Sequence, residues 1–142
     1  MLMADIDDPD TLSASELHRR MVNTLSRTVR DVGVAEAARE TDIAEARLED
    51  LSGADPPLSL SEAGAILALS SDLPDGDIAA RDLRDRLLLA MSAAIVDVDT
   101  LAAGLDGELS ARDIQQKIEG RRPMTLKEFA EIYQFVEARR PD

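Results

Sequence analysis

Basic side chains gather in one part of this chain, between Ala111 and Arg140. That segment carries seven basic and five acidic residues, although the whole chain of 142 residues has a formal net charge of -13. A Gly-Arg-Arg-Pro turn, residues 120–123, forms its centre. Guanidinium and ammonium groups bind phosphate, or they pair with neighbouring carboxylates on a solvated surface. Phosphate binding and surface ion pairing imply different functions. The helices on either side of the turn decide which of the two is expected.

No other set of residues predicts catalysis, metal binding or a cofactor. The chain has no cysteine and a single histidine, His18, which excludes thiolate metal sites and a cysteine nucleophile. His18 is expected at the protein surface, beside Arg19 and Arg20. Asp97 and Asp99 lack the glycine spacing of a calcium loop. We therefore expect no catalytic residue, no metal, no cofactor and no enzymatic activity.

Composition favours a helical protein. The chain is 44% hydrophobic but has one tyrosine, two phenylalanines and no tryptophan, so aliphatic side chains must build the core. Its longest apolar runs, such as residues 87–91, are far too short to cross a bilayer. The first ten residues lack the basic start and apolar middle of a signal peptide. These features predict a cytoplasmic protein without membrane association.

The acidic surface has a particular composition. Aspartate outnumbers glutamate by 18 to 11, and arginine outnumbers lysine by 14 to 2. This pattern is similar to that of small uncharacterised acidic proteins of halophilic archaea, whose carboxylates hold water and cations in concentrated salt. In such a setting screening shortens charge repulsion to about 3 Å at 1 M salt, so the net charge says little about partners. The alternative is a mesophilic acidic protein that avoids nucleic acid.

A shift of 66 positions, without a gap, aligns the two halves of the chain. Apolar residues fall on apolar residues, and the turn prolines Pro57 and Pro123 also coincide. The aligned apolar pairs include Leu17/Leu83, Met21/Leu87, Val22/Leu88, Val29/Ile95, Leu48/Ile114 and Leu60/Leu126. The pattern predicts a tandem duplication. Residues 1–12 then form a disordered acidic N-terminus, 13–73 unit one and 74–142 unit two, with both units packed as one globule.

Each unit predicts the same four helices, and no segment has the period-two pattern of a strand, so the expected fold is all-α. The first helices span about Ser15–Asp31, opened by Ser13 and Glu16, and Ile78 to about Val96. The second helices span Val34–Glu40 and Thr100–Gly104. The third span Ala44–Leu51 and Ser110–Ile118, with Ser110 as an N-cap. The last helices follow the N-caps Ser59 and Thr125, each with a glutamate three residues on.

The middle of each unit resembles the helix-turn-helix of the phage-repressor and Cro family. A small residue in the second helix, an apolar residue after the turn and apolar anchors in the third helix carry the resemblance. These are Ala38, Ile43, Leu48 and Leu51 in unit one, and Gly104, Leu109 and Ile114 in unit two. The second anchor position of unit two falls on Lys117, so Ile118 must serve instead. The turn glycine of the family is replaced by Asp42 and Glu108. The resemblance implies two lambda-repressor-like units.

The resemblance also implies a role for the basic segment. Residues early in the family's third helix face base edges, and the loop after it meets phosphates. Carried over, Ala111, Arg112, Gln115 and Gln116 would face bases, with Lys117, Arg121 and Arg122 near the DNA backbone. Arginine and glutamine make bidentate contacts with guanine and adenine. Unit one has Glu45, Glu49 and Asp50 in this region, which would repel phosphate, so we interpret it as a degenerate copy.

The sequence therefore predicts a DNA-binding or transcription-associated protein whose partner is double-stranded DNA. The alternative is a protein–protein interaction module that uses the same scaffold and binds no nucleic acid. A third interpretation gives the arginines no ligand at all: Arg112, Arg121 and Arg122 would simply pair with acids such as Asp113 and Glu119. The oligomeric state is left open.

Overall fold

The computed structural model describes residues 13–51, 53, 57–69, 76–105 and 109–139. Within these ranges the regular structure consists of eight α-helices and no strand, which confirms the all-α prediction. The helices are α1 (Ala14–Val32), α2 (Val34–Thr41), α3 (Glu45–Glu49), α4 (Leu60–Leu67), α5 (Gly76–Ala94), α6 (Val98–Gly104), α7 (Ala111–Ile118) and α8 (Leu126–Glu137). The predicted N-terminal segment 1–12 and the predicted boundary between 73 and 74 lie outside the described residues.

Side-chain caps determine where most helices begin. Ser13 accepts the backbone N–H of Glu16 at the start of α1. Reciprocal capping boxes start the last helix of each half, with Ser59 and Glu62 at α4 and Thr125 and Glu128 at α8. Ser110 caps α7, also as predicted, and Asp113 completes that box. Hydroxyl and carboxylate groups thus satisfy backbone N–H groups that have no partner inside the helix.

Two helices end earlier than predicted because of single backbone conformations. Helix α5 was expected to reach about Val96, but it ends at Ala94 because Ile95 takes a left-handed conformation, φ 56°. Helix α3 is shorter than the predicted Ala44–Leu51, because the chain becomes extended at Asp50, φ -141°.

Asp42 lies between α2 and α3, where the resemblance implied a turn glycine. Its φ is 62°, and its backbone N–H donates to the carbonyl of Ala38. Aspartate is one of the few residues besides glycine that visits this left-handed region readily. Asp42 thus adopts a backbone conformation that glycine also favours. Glu108, at the corresponding place in the second half, lies outside the described residues.

A single hydrophobic core receives side chains from all eight helices. Its arrangement crosses between the halves of the chain: α1 makes its most extensive contacts with α8, and α4 with α5. The backbones meet at an isolated antiparallel bridge between Ser59 and Thr125. There the N–H of Leu60 donates to the carbonyl of Met124, and the N–H of Leu126 donates to the carbonyl of Leu58, both at 2.8 Å.

Burial follows the 66-residue alignment at some pairs and departs from it at others. Leu48 and Ile114 are both buried, as the alignment predicts. Leu88 and Ile95 are exposed, whereas their aligned residues Val22 and Val29 are buried. At these two pairs the alignment of apolar residues is not matched by equal burial. Helix α2 packs against α1, whereas within the described residues α6 makes no comparable contact with α5.

Gly104 has a different neighbour from the one that the resemblance implied. The third helix of the unit, α7, was expected to approach this small residue. Instead, a Cβ at Gly104 would lie 2.3 Å from Cζ of Phe135, which is on α8. Glycine at this position therefore makes room for an aromatic ring that belongs to the last helix.

No single helix among the described residues is long and apolar enough to cross a membrane. The segments Ala80–Ala94 and Val98–Gly104 reach the required length and composition only together, across a bend of 89°.

Candidate functional site

Helix α7 is held in place by one buried edge. Ile114 and Ile118 point into the core and are almost fully buried, while Arg112 and Gln115 lie on the opposite, exposed side. The N-cap Ser110 starts the helix through two reciprocal hydrogen bonds with Asp113, of 3.1 and 3.3 Å. A short helix anchored in this way presents its outer face in a fixed orientation.

The base-facing candidates divide into exposed and half-buried residues. Arg112 and Gln115 are exposed, three positions apart on one face of α7. Gln116 and Ala111 are half-buried. The backbone carbonyl of Gln116 accepts hydrogen bonds from the N–H groups of Arg121 and Arg122, which folds the turn back against the helix. Among the described residues, no ion pair involves Arg112.

Lys117 does not face solvent as a phosphate ligand would. Its ammonium lies 2.5 Å from a carboxylate oxygen of Glu128, and its side chain is only 12% exposed. The other oxygen of Glu128 accepts the backbone N–H of Thr125 in the capping box of α8. Lys117 thus connects α7 to the start of α8. The residue aligned with it in the first half, Leu51, is apolar and buried.

Two of the predicted ion pairs within the turn do form. The guanidinium of Arg122 lies 2.7 Å from the carboxylate of Asp113, and that of Arg121 lies 3.8 Å from Glu119. The backbone and side chain of Ser110 hold the pKa of Asp113 below its ordinary value, and Arg122 adds to the effect. Both arginines remain largely exposed, so these pairs are of the weak, solvent-screened kind.

Arg84, on α5, is a member of this site that the sequence did not reveal. Gly120 has φ 81°, and a Cβ there would lie 3.1 Å from Cζ of Arg84. The guanidinium therefore lies against the turn at Gly120, where a Cβ would crowd it. No motif connects the two residues. The one available signal is the 66-residue alignment, which places Arg84 opposite His18, another half-buried basic residue.

Arg84 and the turn enclose a pocket of about 190 Å³. Four cationic side chains line it, together with Ser61 at the start of α4; they are Arg84, Lys117, Arg121 and Arg122. This concentration of positive charge is unusual in a protein with a net charge of -13.

Helix α3, the counterpart of α7, has different chemistry. It is five residues long, and Arg47 on it makes a bidentate ion pair with Glu62, with N···O distances of 2.5 and 2.8 Å. Hydrogen bonds from Arg47 are the main cause of the lowered pKa of Glu62. Glu45 and Glu49 are exposed on the remaining surface. The exposed face of α3 is therefore acidic, and its one arginine, Arg47, is paired with Glu62.

His18 is half-buried, not at the surface as predicted. Burial is the main cause of its lowered pKa, and the nearby charge of Lys127 acts in the same direction. Helix α1 packs on α8, where Lys127 lies, so the histidine is partly enclosed at this contact. Among the described residues, no group of three or more histidine, aspartate or glutamate side chains is arranged to hold a metal ion.

Comparison with known proteins places the chain in one family. Residues 17–139 match a family of unknown function, DUF5791. The chain belongs to this family. No curated protein and no solved structure matches it. The DUF5791 match spans both halves of the chain and contains every residue of the candidate site. Because the family carries no assigned activity, the function has to be argued from the site itself.

Proposed function

We propose that this DUF5791 protein is a DNA-binding or transcription-associated protein, and that its α6–α7 segment acts as a helix-turn-helix. The observation that carries the proposal is the exposed pair Arg112 and Gln115 on α7. Both side chains project from the same side of a helix whose other side is anchored in the core. Arg112 suits guanine and Gln115 suits adenine, the two bases whose major-groove edges offer bidentate contacts.

The residues around α7 fit the division of labour in protein–DNA contacts. Arg121 and Arg122 lie at its C-terminal end, exposed and held only by weak ion pairs, where they can exchange carboxylates for backbone phosphates. Phosphate contacts of this kind set the register of a protein on DNA, whereas base contacts set its specificity. Lys117 has a different role in the proposal: it is a tether between helices and makes no DNA contact.

A tandem duplication is the second part of this proposal. Helices α3 and α7 begin at Glu45 and Ala111, and α4 and α8 begin at Leu60 and Leu126, which in both cases are 66 positions apart. The two backbone hydrogen bonds of the bridge are also related by this shift. Leu60 donates to Met124 and Leu126 donates to Leu58, and the shift of 66 positions converts one pair into the other. Both observations support two copies of one four-helix unit, of which only the second keeps a basic third helix.

Arg112→Ala tests the proposed function directly. We expect it to weaken binding at a selected DNA site by about 1–3 kcal/mol and to relax the preference at one base pair. Arg122→Ala should instead weaken binding to all sequences alike. The measurement is selection from random duplexes over graded potassium chloride concentrations, followed by affinity titrations.

Arg30→Ala is the matched control, because Arg30 is exposed on α1, away from α7. Its affinity should equal that of the wild type. If the wild-type protein enriches no sequence at any salt concentration, base-specific DNA recognition is ruled out.

An exposed apolar surface on and after α5 favours a second candidate, a protein–protein interaction module. Leu88, Leu89 and Ile95 are 46%, 72% and 90% exposed, and no other large apolar side chain in the described ranges is comparably open. The left-handed conformation of Ile95 costs about 1–2 kcal/mol, which glycine would avoid. A strained, β-branched and exposed residue is evidence that its side chain has a use.

A second copy of the chain is the partner that we propose for this surface. Exposed Arg81, Asp85 and Arg86 precede the apolar residues on α5, with a net charge of +1, and exposed Asp97 and Asp99 follow them. Two α5 helices packed antiparallel about a two-fold axis would bring the basic end of each near the acidic end of the other. The apolar residues between them would then be buried in both copies.

Leu89→Glu should convert such a dimer to a monomer, because it buries an unpaired charge at the contact. Light scattering over a range of protein concentrations measures the change. Asn23→Glu adds the same charge at an exposed position on α1 and should leave the dimer intact. A wild-type protein that stays monomeric at all concentrations would contradict this candidate.

A further inference from the structure

The pocket between α5 and the turn after α7 has an excess of positive charge. Three of its four cations have acidic neighbours, namely Glu128, Asp113 and Glu119. Arg84 forms no ion pair within the described part of the chain. Its guanidinium lines the pocket together with that of the exposed Arg121, so an anion that enters the pocket meets both.

We propose that this pocket binds one phosphate group, with Arg84 and Arg121 as its principal ligands. A guanidinium offers a planar fork of donors that matches two oxygens of a phosphate. Arg121 lies 3.8 Å from Glu119 and is 72% exposed, so a phosphate can replace that carboxylate at little cost. The volume of about 190 Å³ accommodates a phosphate with bridging water.

Gly120 is the residue that makes the pocket possible. Its positive φ turns the chain back after α7, and the absence of a side chain lets Arg84 lie against the backbone. Arg122 and Lys117 complete the wall, with acidic partners at 2.7 and 2.5 Å, and add positive potential to the pocket.

This inference deepens the proposed function, on which its biological meaning rests, because the pocket adjoins the residues assigned to the DNA backbone. The phosphate group could belong to a DNA strand or to a free phosphate. The ligand chemistry is the same for both sources, and separate arms of one experiment distinguish them.

The first arm titrates inorganic phosphate at constant ionic strength and follows the backbone amides by NMR. We expect the amides of Gly120 and Arg121 to shift in the wild type, the shift to be lost in Arg84→Gln and to be weakened in Arg84→Lys, which keeps the charge but not the fork. Arg81→Gln, an exposed arginine one turn earlier on α5, should behave as the wild type. Circular dichroism verifies that each variant is folded.

The second arm measures duplex DNA binding with the same variants. If the phosphate is that of DNA, Arg84→Gln lowers affinity for all sequences alike and reduces the slope of log affinity against log salt by about 1. If DNA binding is unchanged in Arg84→Gln while the phosphate shifts are lost, the pocket serves free phosphate.

Two results would overturn the phosphate pocket. One is an absence of phosphate-dependent shifts at Gly120, or shifts that persist in Arg84→Gln. The other is an equal response to acetate at the same ionic strength, which would mean unselective anion binding. A wild-type protein that binds phosphate through Arg84 but no DNA would reject the proposed function and leave the pocket standing.

Discussion

Leu126→Pro is expected to destabilise the protein more than Leu126→Ala, although proline is normally well tolerated at the first position of a helix. Leu126 is fully buried, so the alanine variant should lose about 2–5 kcal/mol of unfolding free energy. Proline also removes the N–H that donates to Leu58 and leaves that carbonyl unpaired, for a further loss of about 1–3 kcal/mol. Chemical denaturation measures both values.

The control for this comparison is Ala111→Pro, at the first position of α7. The preceding residue, Ser110, has φ -78° and ψ 165°, an extended conformation that proline accepts, as does Thr125 before Leu126. No inter-helix backbone bond from the N–H of Ala111 is present in the described ranges. Ala111→Pro should therefore change stability little. Equal stabilities of Leu126→Pro and Leu126→Ala would show that the bridge contributes nothing.

Glu62→Ala should lower the unfolding free energy by about 2–3 kcal/mol, because Glu62 serves two structures at once. Its carboxylate closes the capping box of α4 and binds both terminal nitrogens of Arg47, whose side chain is 16% exposed. Glu36→Ala is the matched control, since Glu36 forms an exposed pair with Arg39 within one helix. It should cost well under about 1 kcal/mol.

The same carboxylate predicts a pH dependence. In the folded protein the pKa of Glu62 is lowered from 4.5, mainly by hydrogen bonds from Arg47, so near that pH the unfolded chain binds more protons than the folded one. The stabilisation is complete above the ordinary pKa and is lost as pH falls through the lowered one. The difference in stability between wild type and Glu62→Gln should shrink over this acidic range. A difference that does not change with pH would contradict the prediction.

Local signals in the sequence identified the helix starts because they act within a few residues. Ser59, Ser110 and Thr125 cap the helices that they were predicted to cap. Helix ends were harder to predict from the sequence. A left-handed residue at a helix end is usually glycine or asparagine, so isoleucine at position 95 gave no sign that α5 would end there. The exposure of Leu88 and Leu89 on α5 could not be predicted either, because it depends on how distant helices pack.

The candidate site was predictable only in part. Arg112 and Gln115 were named as base-facing candidates because they lie in the third helix of the helix-turn-helix resemblance. Both side chains are exposed in the structure. Lys117 was predicted to lie near the DNA backbone; its ion pair with Glu128 could not be predicted, because it depends on where the start of α8 lies relative to α7. Arg84 could not be predicted, since its approach to Gly120 depends on the crossing of α5 with the turn.

The contact of α1 with α8 has a consequence for how the chain folds. The first helix finds its main partner in the last one, so the largest part of its buried surface forms only after almost the whole sequence is available. Contacts between residues so distant in sequence require a large loop to close first, and they slow folding relative to bundles of sequential helices. During synthesis, the part of α1 that packs on α8 stays uncovered until α8 emerges, although α2, α3 and α4 cover other parts earlier. We expect such a chain to depend on chaperones more than a bundle of sequential helices of the same size.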